Sequence, residues 1–267
     1  MTDPPIDRPS YALARTLHAI VLVAAVVGLS LELVRALTSD DLGTRLVRLF
    51  SYFTIQSNIL AAIAAGMLLW RPDRRGRVFA VLRLDALLCI AVTGIVYHAV
   101  LAGLQELTPS GALANLMLHT VVPVGTVVAW LVVGPRPRLS PAVVGWSLVY
   151  PLGWIAYTFV RGALVDWYPY PFLDVATVGY GEALGATALV LAIAVVLVAI
   201  FRRIDRIGTP SSRPGNGHRS ASRTPNRPRT DPQRRYGPAG LHPSRADTGP
   251  PTPTGWMTRS VCWCGSC

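Results

Sequence analysis

The residues of this chain that could do chemistry sit inside stretches that are otherwise apolar. Thr54 offers a hydroxyl, and His119 an imidazole able to withdraw its proton. That is the hydroxyl–imidazole arrangement of nucleophilic catalysis, in which a weak nucleophile is activated by an adjacent base. His98, beside Tyr97, is a second imidazole that could position a substrate or tune His119, and Glu32 or Glu182 could orient a ring as a third member. Asn58 lies one helical turn from Thr54 and Asn115 one turn from His119, so each pair shares a helix face. Either amide is an oxyanion donor or an interhelical hydrogen bond. Tyr157 completes the set. Each has a plainer reading: a membrane-helix Thr bonds the backbone carbonyl of the preceding turn, and a lone His serves as an interhelical donor.

The elements that carry these groups are six apolar stretches, predicted as helices Leu17 to Leu37, Leu49 to Trp70, Val78 to Leu104, Leu113 to Val133, Pro141 to Val160 and Val175 to Phe201. Each is long enough for the roughly 20 residues that cross a bilayer. The expected architecture is therefore all-α, a polytopic membrane protein with six transmembrane helices in residues 1–207. The first stretch exceeds a signal-peptide core, contains Glu32 and is followed by no small-x-small cleavage pattern, so it is expected to stay as a helix.

Arginine placement sets the expected orientation. Arg71, Arg74, Arg75, Arg77, Arg136, Arg138, Arg202, Arg203 and Arg206, with Arg8 and Arg15, fall at one set of ends, against Arg35, Arg45, Arg48 and Arg161 at the other. By the positive-inside rule the first set is cytoplasmic, as are both termini. Arg35, Arg45 and Arg48 run against that trend. Trp70, Trp130 and Trp146 at inner ends, and Trp154 and Trp167 at outer ends, fit interfacial anchoring. Counting inward from the outer ends puts Glu32, Thr54, His98, His119, Tyr157 and Glu182 at roughly 5 to 10 Å below one boundary, at 1.5 Å per residue. Groups costly to leave in hydrocarbon should converge there into a polar pocket opening toward the outer leaflet. Gly181 and Gly185 form a small-xxx-small pair suited to close helix packing. Arg83 and Asp85 are expected to snorkel or pair.

The formal net charge of +11 is local: residues 202–267 hold 12 Arg against 3 acids, and residues 1–201 hold 13 against 11. Nucleic acid is not implied. All basic residues are Arg, a composition typical of GC-rich bacterial genomes, and the expected location is the bacterial cytoplasmic membrane. Residues 208–267, rich in Pro, Ser, Gly and Arg, are expected to be a disordered tail. Its closing Cys262, Cys264 and Cys267 have no nearby His and make no usual zinc site, and Cys89 stands alone in a helix. No Gly-x-Ser-x-Gly elbow, His-Glu-x-x-His helix, phosphate loop or dinucleotide fingerprint occurs.

Three segments together resemble a known family. Phe53-Thr54-Ile55-Gln56-Ser57-Asn58, then Asn115-Leu116-Met117-Leu118-His119-Thr120-Val121-Val122-Pro123, then Gly153-Trp154 leading to Trp167-Tyr168-Pro169-Tyr170-Pro171-Phe172-Leu173-Asp174, resemble the androgen-induced-gene family of integral membrane proteins, and most its prokaryotic six-helix branch. The resemblance covers residues ~11 to 205; its most specific element is Asn-x-x-x-His-Thr-x-x-Pro. Eukaryotic relatives are intramembrane threonine hydrolases of fatty acid esters of hydroxy fatty acids. The resemblance implies Thr54 as nucleophile, His119 as base and then acid, an acyl-threonine intermediate and no cofactor. The expected function is hydrolysis of lipid-like esters, with membrane lipids and such an ester as partners. The alternative is a non-catalytic membrane protein that binds or transports a small amphipathic molecule through the same pocket.

Overall fold

The computed structural model describes residues 8–104, 106–134 and 139–207, whose regular elements are all helical, without a strand among the described residues. Helix α1 (Arg8–Leu37) is followed by a short α2 (Leu42–Ser51), then α3 (Phe53–Trp70) and α4 (Arg77–Val96). Helix α4 ends in a π-helical turn, Tyr97–Leu101; α5 (Pro109–Leu116) passes through a second, Met117–Val121, into α6 (Val122–Val133). Helices α7 (Pro141–Ser147) and α8 (Val149–Val165) form one broken rod, and a 3-10 turn at Pro171–Leu173 leads into α9 (Val175–Ile207). The tail beyond residue 207, Gln105, Arg136 and Arg138 lie outside the described residues.

Six spans are long and apolar enough to cross a membrane: Tyr11–Leu37, Phe53–Trp70, Arg77–Leu101, Pro109–Val133, Pro141–Val165 and Val175–Arg206. Their surfaces expose Ile20, Val23, Val132, Val160, Leu189 and Val195, each more than half accessible. Such an all-round apolar exterior belongs in lipid, where helices satisfy their own backbone groups. The protein is a multi-pass integral membrane protein.

The third span is the axis of the bundle: 72% of its apolar window is buried, against 17% for the sixth. One face of α4 packs Leu84, Leu87, Leu88 and Val92 against Trp130, Val143, Val198 and Phe201. Its Ile90 joins Val21, Ala25, Ala61, Ala65 and Val122 from α1, α3 and α6 on the other side. Burying a Leu or Ile gives roughly 1.5–3 kcal/mol relative to water exposure; in lipid, shape complementarity and interhelical hydrogen bonds hold the helices together instead.

Two details differ from the sequence expectation. The second apolar stretch is not one helix from Leu49: extended backbone at Tyr52 (φ −69°, ψ 129°) separates α2 from α3. The break is imposed from α8, where Trp154 Nε1 donates to the Ser51 carbonyl (3.0 Å) and the Tyr157 hydroxyl meets Ser51 Oγ (2.8 Å). Gly181 and Gly185 meet nothing within 4 Å of where a Cβ would stand. Close packing falls on Gly28 and Gly94 instead, whose added Cβ atoms would lie 2.7 Å from Leu118 and 2.9 Å from Pro123. Arg83 and Asp85 are both buried, at 5% and 8% exposure.

Candidate functional site

Thr54 occupies the first turn of α3 because the chain breaks at Tyr52. First-turn N–H groups have no partner within their own helix. The N–H of Thr54 finds one in the Tyr170 hydroxyl, 3.1 Å away, and Tyr170 Oη also lies 3.2 Å from Thr54 Oγ1. Tyr170 arrives from the connection before α9, braced by its stack on Phe172 and its edge contact with Tyr52. Burial raises the pKa of its phenol to about 12, against the opposing hydrogen bonds with Thr54, so it remains a proton donor at neutral pH.

His119 sits in the π turn Met117–Val121. Pro123, four residues on, has no N–H to give the His119 carbonyl, and its ring crowds that position, which widens the turn. Gly94 supplies the room, since any Cβ there would strike Pro123. The imidazole is thereby aimed at Thr54: Nε2 is 3.3 Å from Thr54 Oγ1, while Nδ1 is 3.3 Å from the Asn115 carbonyl. A carbonyl only accepts, so Nδ1 carries the proton and Nε2 presents its lone pair to the threonine hydroxyl. Tyr97 stacks on the ring at 4.1 Å between centroids and its hydroxyl accepts from Asn115 Nδ2, which fixes the plane of the imidazole. The result is a directed chain: Tyr170 O–H to Thr54 Oγ1, Thr54 O–H to His119 Nε2, His119 Nδ1–H to the Asn115 carbonyl.

Two cavities meet at this chain. A polar one of about 530 Å³ is lined by Glu32, Arg35, Arg45, Arg48, Asn115 and His119 among others. A narrow apolar cleft of about 90 Å³ runs between α4, α8 and α9 past Leu88, Val92, Ile155 and Leu191. Thr54, Tyr170 and Leu101 line both, so Thr54 stands where the two adjoin.

Of the residues singled out from sequence, Thr54, His119, Asn115 and Glu32 surround the polar cavity. Asn58 does not reach it. Fully buried behind Thr54, it donates from Nδ2 to the carbonyls of Thr54 (2.8 Å) and Leu118 (3.1 Å), tying α3 to the π turn. Its amide hydrogens are committed there, which removes it as an oxyanion donor. His98 is exposed and bonds Thr120 at 3.1 Å, linking the two π turns on the outside of the bundle. Tyr157 is exposed on α8 and its hydroxyl meets Ser51. Glu182 is exposed and lines neither cavity. The chain has non-helical geometry at Gly179 (φ 78°), so Glu182 lies near the start of a helical segment rather than seven residues deep, and a carboxylate suits that end.

Sequence reasoning passed over Tyr170 and Tyr97 as site residues. Tyr97 adjoins His98, and Tyr170 belongs to the aromatic-Pro segment Trp167–Asp174; an aromatic hydroxyl in a connection at the depth of the polar layer was the available signal. Scans of family models and searches of curated proteins and solved structures find no match to the chain. No group of three metal-ligating side chains occurs among the described residues.

Proposed function

We propose that the protein is an intramembrane hydrolase of lipid-like esters, of the fatty acid ester of hydroxy fatty acid type, with Thr54 as nucleophile and His119 as general base. One observation carries this reading: the Thr54 hydroxyl lies within hydrogen-bond reach of His119 Nε2, while Nδ1 of the same ring faces the Asn115 carbonyl. A spacing of 3.3 Å is the looser geometry expected without substrate.

In the proposed reaction Thr54 Oγ1 attacks the ester carbonyl carbon as its proton passes to His119 Nε2. The C=O pair moves onto oxygen, and the oxyanion takes a hydrogen bond from Tyr170 Oη, which turns from Thr54 toward it. The positive end of α3 adds a favourable field. The intermediate collapses, the C–O bond to the alcohol breaks, and Nε2 returns the proton to the departing oxygen. Water from the polar cavity then attacks the acyl-threonine, again giving its proton to Nε2. Collapse frees the fatty acid and restores the Thr54 hydroxyl. Asn115 and Tyr97 act by holding the ring.

The proposal includes the bacterial cytoplasmic membrane as the site of action, with both termini cytoplasmic and the cavity facing the outer leaflet, as arginine placement suggests. The test compares membranes carrying wild-type chain, Thr54→Ala and His119→Ala at equal expression for fatty acid released from a panel of long-chain acyl esters. Turnover in wild type and in neither variant supports the reading. Absence of wild-type turnover above empty membranes on every ester removes it in favour of a non-catalytic binding or transport protein.

A further inference from the structure

Gln56 lies two residues after Thr54 and has no part in the reaction above, yet its side chain spans the break between α2 and α3. Its Nε2 donates to the Phe50 carbonyl at 2.6 Å, and its Oε1 accepts from the Tyr150 hydroxyl of α8 at 2.7 Å. Chemistry fixes the orientation of the amide, since a carbonyl oxygen only accepts and Phe50 must therefore face the NH2 end. The register of these contacts is what gives them meaning. In a continuous α-helix each N–H bonds the carbonyl four residues earlier. Thr54 would then donate to Phe50, and Ile55 to Ser51. Those are the two carbonyls already engaged by side chains, Phe50 by Gln56 and Ser51 by Trp154 Nε1 at 3.0 Å. Regular bonding resumes where the Gln56 N–H donates to the Tyr52 carbonyl at 3.2 Å. The Thr54 N–H, its helical acceptor occupied, goes instead to Tyr170 Oη at 3.1 Å.

We propose that Gln56 is a positioning residue for the hydrolysis: by occupying the Phe50 carbonyl it keeps the helix broken before Thr54, and so keeps the Thr54 N–H available as an oxyanion donor. Tyr170 Oη lies 3.1 Å from that N–H and 3.2 Å from Thr54 Oγ1, beside the nucleophile where a substrate's carbonyl oxygen arrives. When Tyr170 turns aside, the N–H it vacates and its own hydroxyl meet the oxyanion together. Two fixed donors stabilise that charge better than one, and a backbone N–H costs no side-chain ordering at the moment of reaction. The hold on the break is itself braced from α8, where the Tyr150 and Trp154 rings lie 6.3 and 4.9 Å from the Phe53 ring. Asn58 acts at a different point, since it takes the Thr54 carbonyl and leaves the N–H untouched. The oxyanion role rests on the hydrolase reading; the hold of Gln56 on the break does not.

The experiment compares the full chain in maltoside micelles as wild type, Gln56→Met, Tyr150→Phe, Tyr170→Phe and the double variant Gln56→Met with Tyr170→Phe. Met keeps the length of the side chain and loses the donor. Turnover of long-chain acyl esters and amide hydrogen exchange resolved to single residues are read on the same preparations. In Gln56→Met kcat should fall about 10²-fold, the loss expected of one oxyanion donor, with KM within about twofold of wild type. Tyr150→Phe, which slackens Gln56 without removing it, should lower kcat by a smaller factor. Tyr170→Phe leaves the Thr54 N–H without its acceptor, so that amide should exchange about tenfold faster than in wild type; adding Gln56→Met should slow it again as the N–H returns to the Phe50 carbonyl. An unchanged kcat in both Gln56→Met and Tyr150→Phe, a raised KM in place of a lowered kcat, or Thr54 exchange no slower in the double variant than in Tyr170→Phe overturns the role. If Gln56→Met fails to fold, the kcat of Tyr150→Phe decides. A wild type inactive on every ester removes the hydrolase reading, and the exchange comparison then decides the hold of Gln56 on the break by itself.

Discussion

His119 and His18 are both imidazoles enclosed in the same bundle, at opposite ends of it. His119 has both ring nitrogens engaged, a stacked tyrosine against its face and a 530 Å³ cavity in front of it. His18, at 5% exposure, sits with Arg83 and Thr126 along a space of about 20 Å³, and its Nε2, like Thr126 Oγ1, has no hydrogen-bond partner. A buried polar side chain is thus not yet a site. The difference lies in a directed hydrogen-bond chain, which sets one tautomer, and in space for a reacting molecule beside it.

The sharpest way to break this contrast is to remove each imidazole in turn. His119→Ala should lower ester turnover about 10³-fold or more, as loss of a general base does, whereas His18→Leu at equal expression should leave turnover unchanged. A matching loss in the His18 variant would show that burial rather than geometry governs activity. Tyr170→Phe comes next. It deletes the hydroxyl proposed to meet the oxyanion, and kcat should fall about 10²-fold with little change in KM; an unchanged kcat removes Tyr170 from the chemistry. Asn58→Leu keeps the volume but cuts the tie between α3 and the π turn. It should destabilise by roughly 1–3 kcal/mol, read as a lower unfolding midpoint in detergent, and lower activity through displacement of Thr54. The smallest effect is expected of Tyr157→Phe, about 0.5–1.5 kcal/mol of stability from the lost Ser51 contact, with kcat retained; a large loss of kcat would move Tyr157 into the site.

The six spans were legible because apolar run length is a direct consequence of bilayer thickness. Thr54, His119 and Asn115 were legible for a related reason: polar groups in hydrocarbon must find one another, and helical rise places them at a common depth. Tyr170 was not, since nothing in a connection's sequence fixes where its side chain returns to the bundle. The break at Tyr52 was hidden as well. Ser51-Tyr52-Phe53 contains no glycine or proline, and the break depends on Trp154 and Tyr157, a hundred residues away. Depth counted along an assumed unbroken helix misplaced Glu182 for the same reason, the irregularity at Gly179 lying just before it.

The π turn at Met117–Val121 has a consequence for the whole fourth span. Each residue of an α-helix advances about 100° around the axis, so one extra residue in a turn is a phase slip of that size. Ala129 and Trp130 beyond the slip can keep their buried face toward the core while His119 within it points at Thr54. An unslipped helix would have one phase for both duties. Shortening the turn by a single residue would restore regular winding and rotate the imidazole out of register with the hydroxyl, leaving a bundle of the same composition whose two halves of chemistry face different directions.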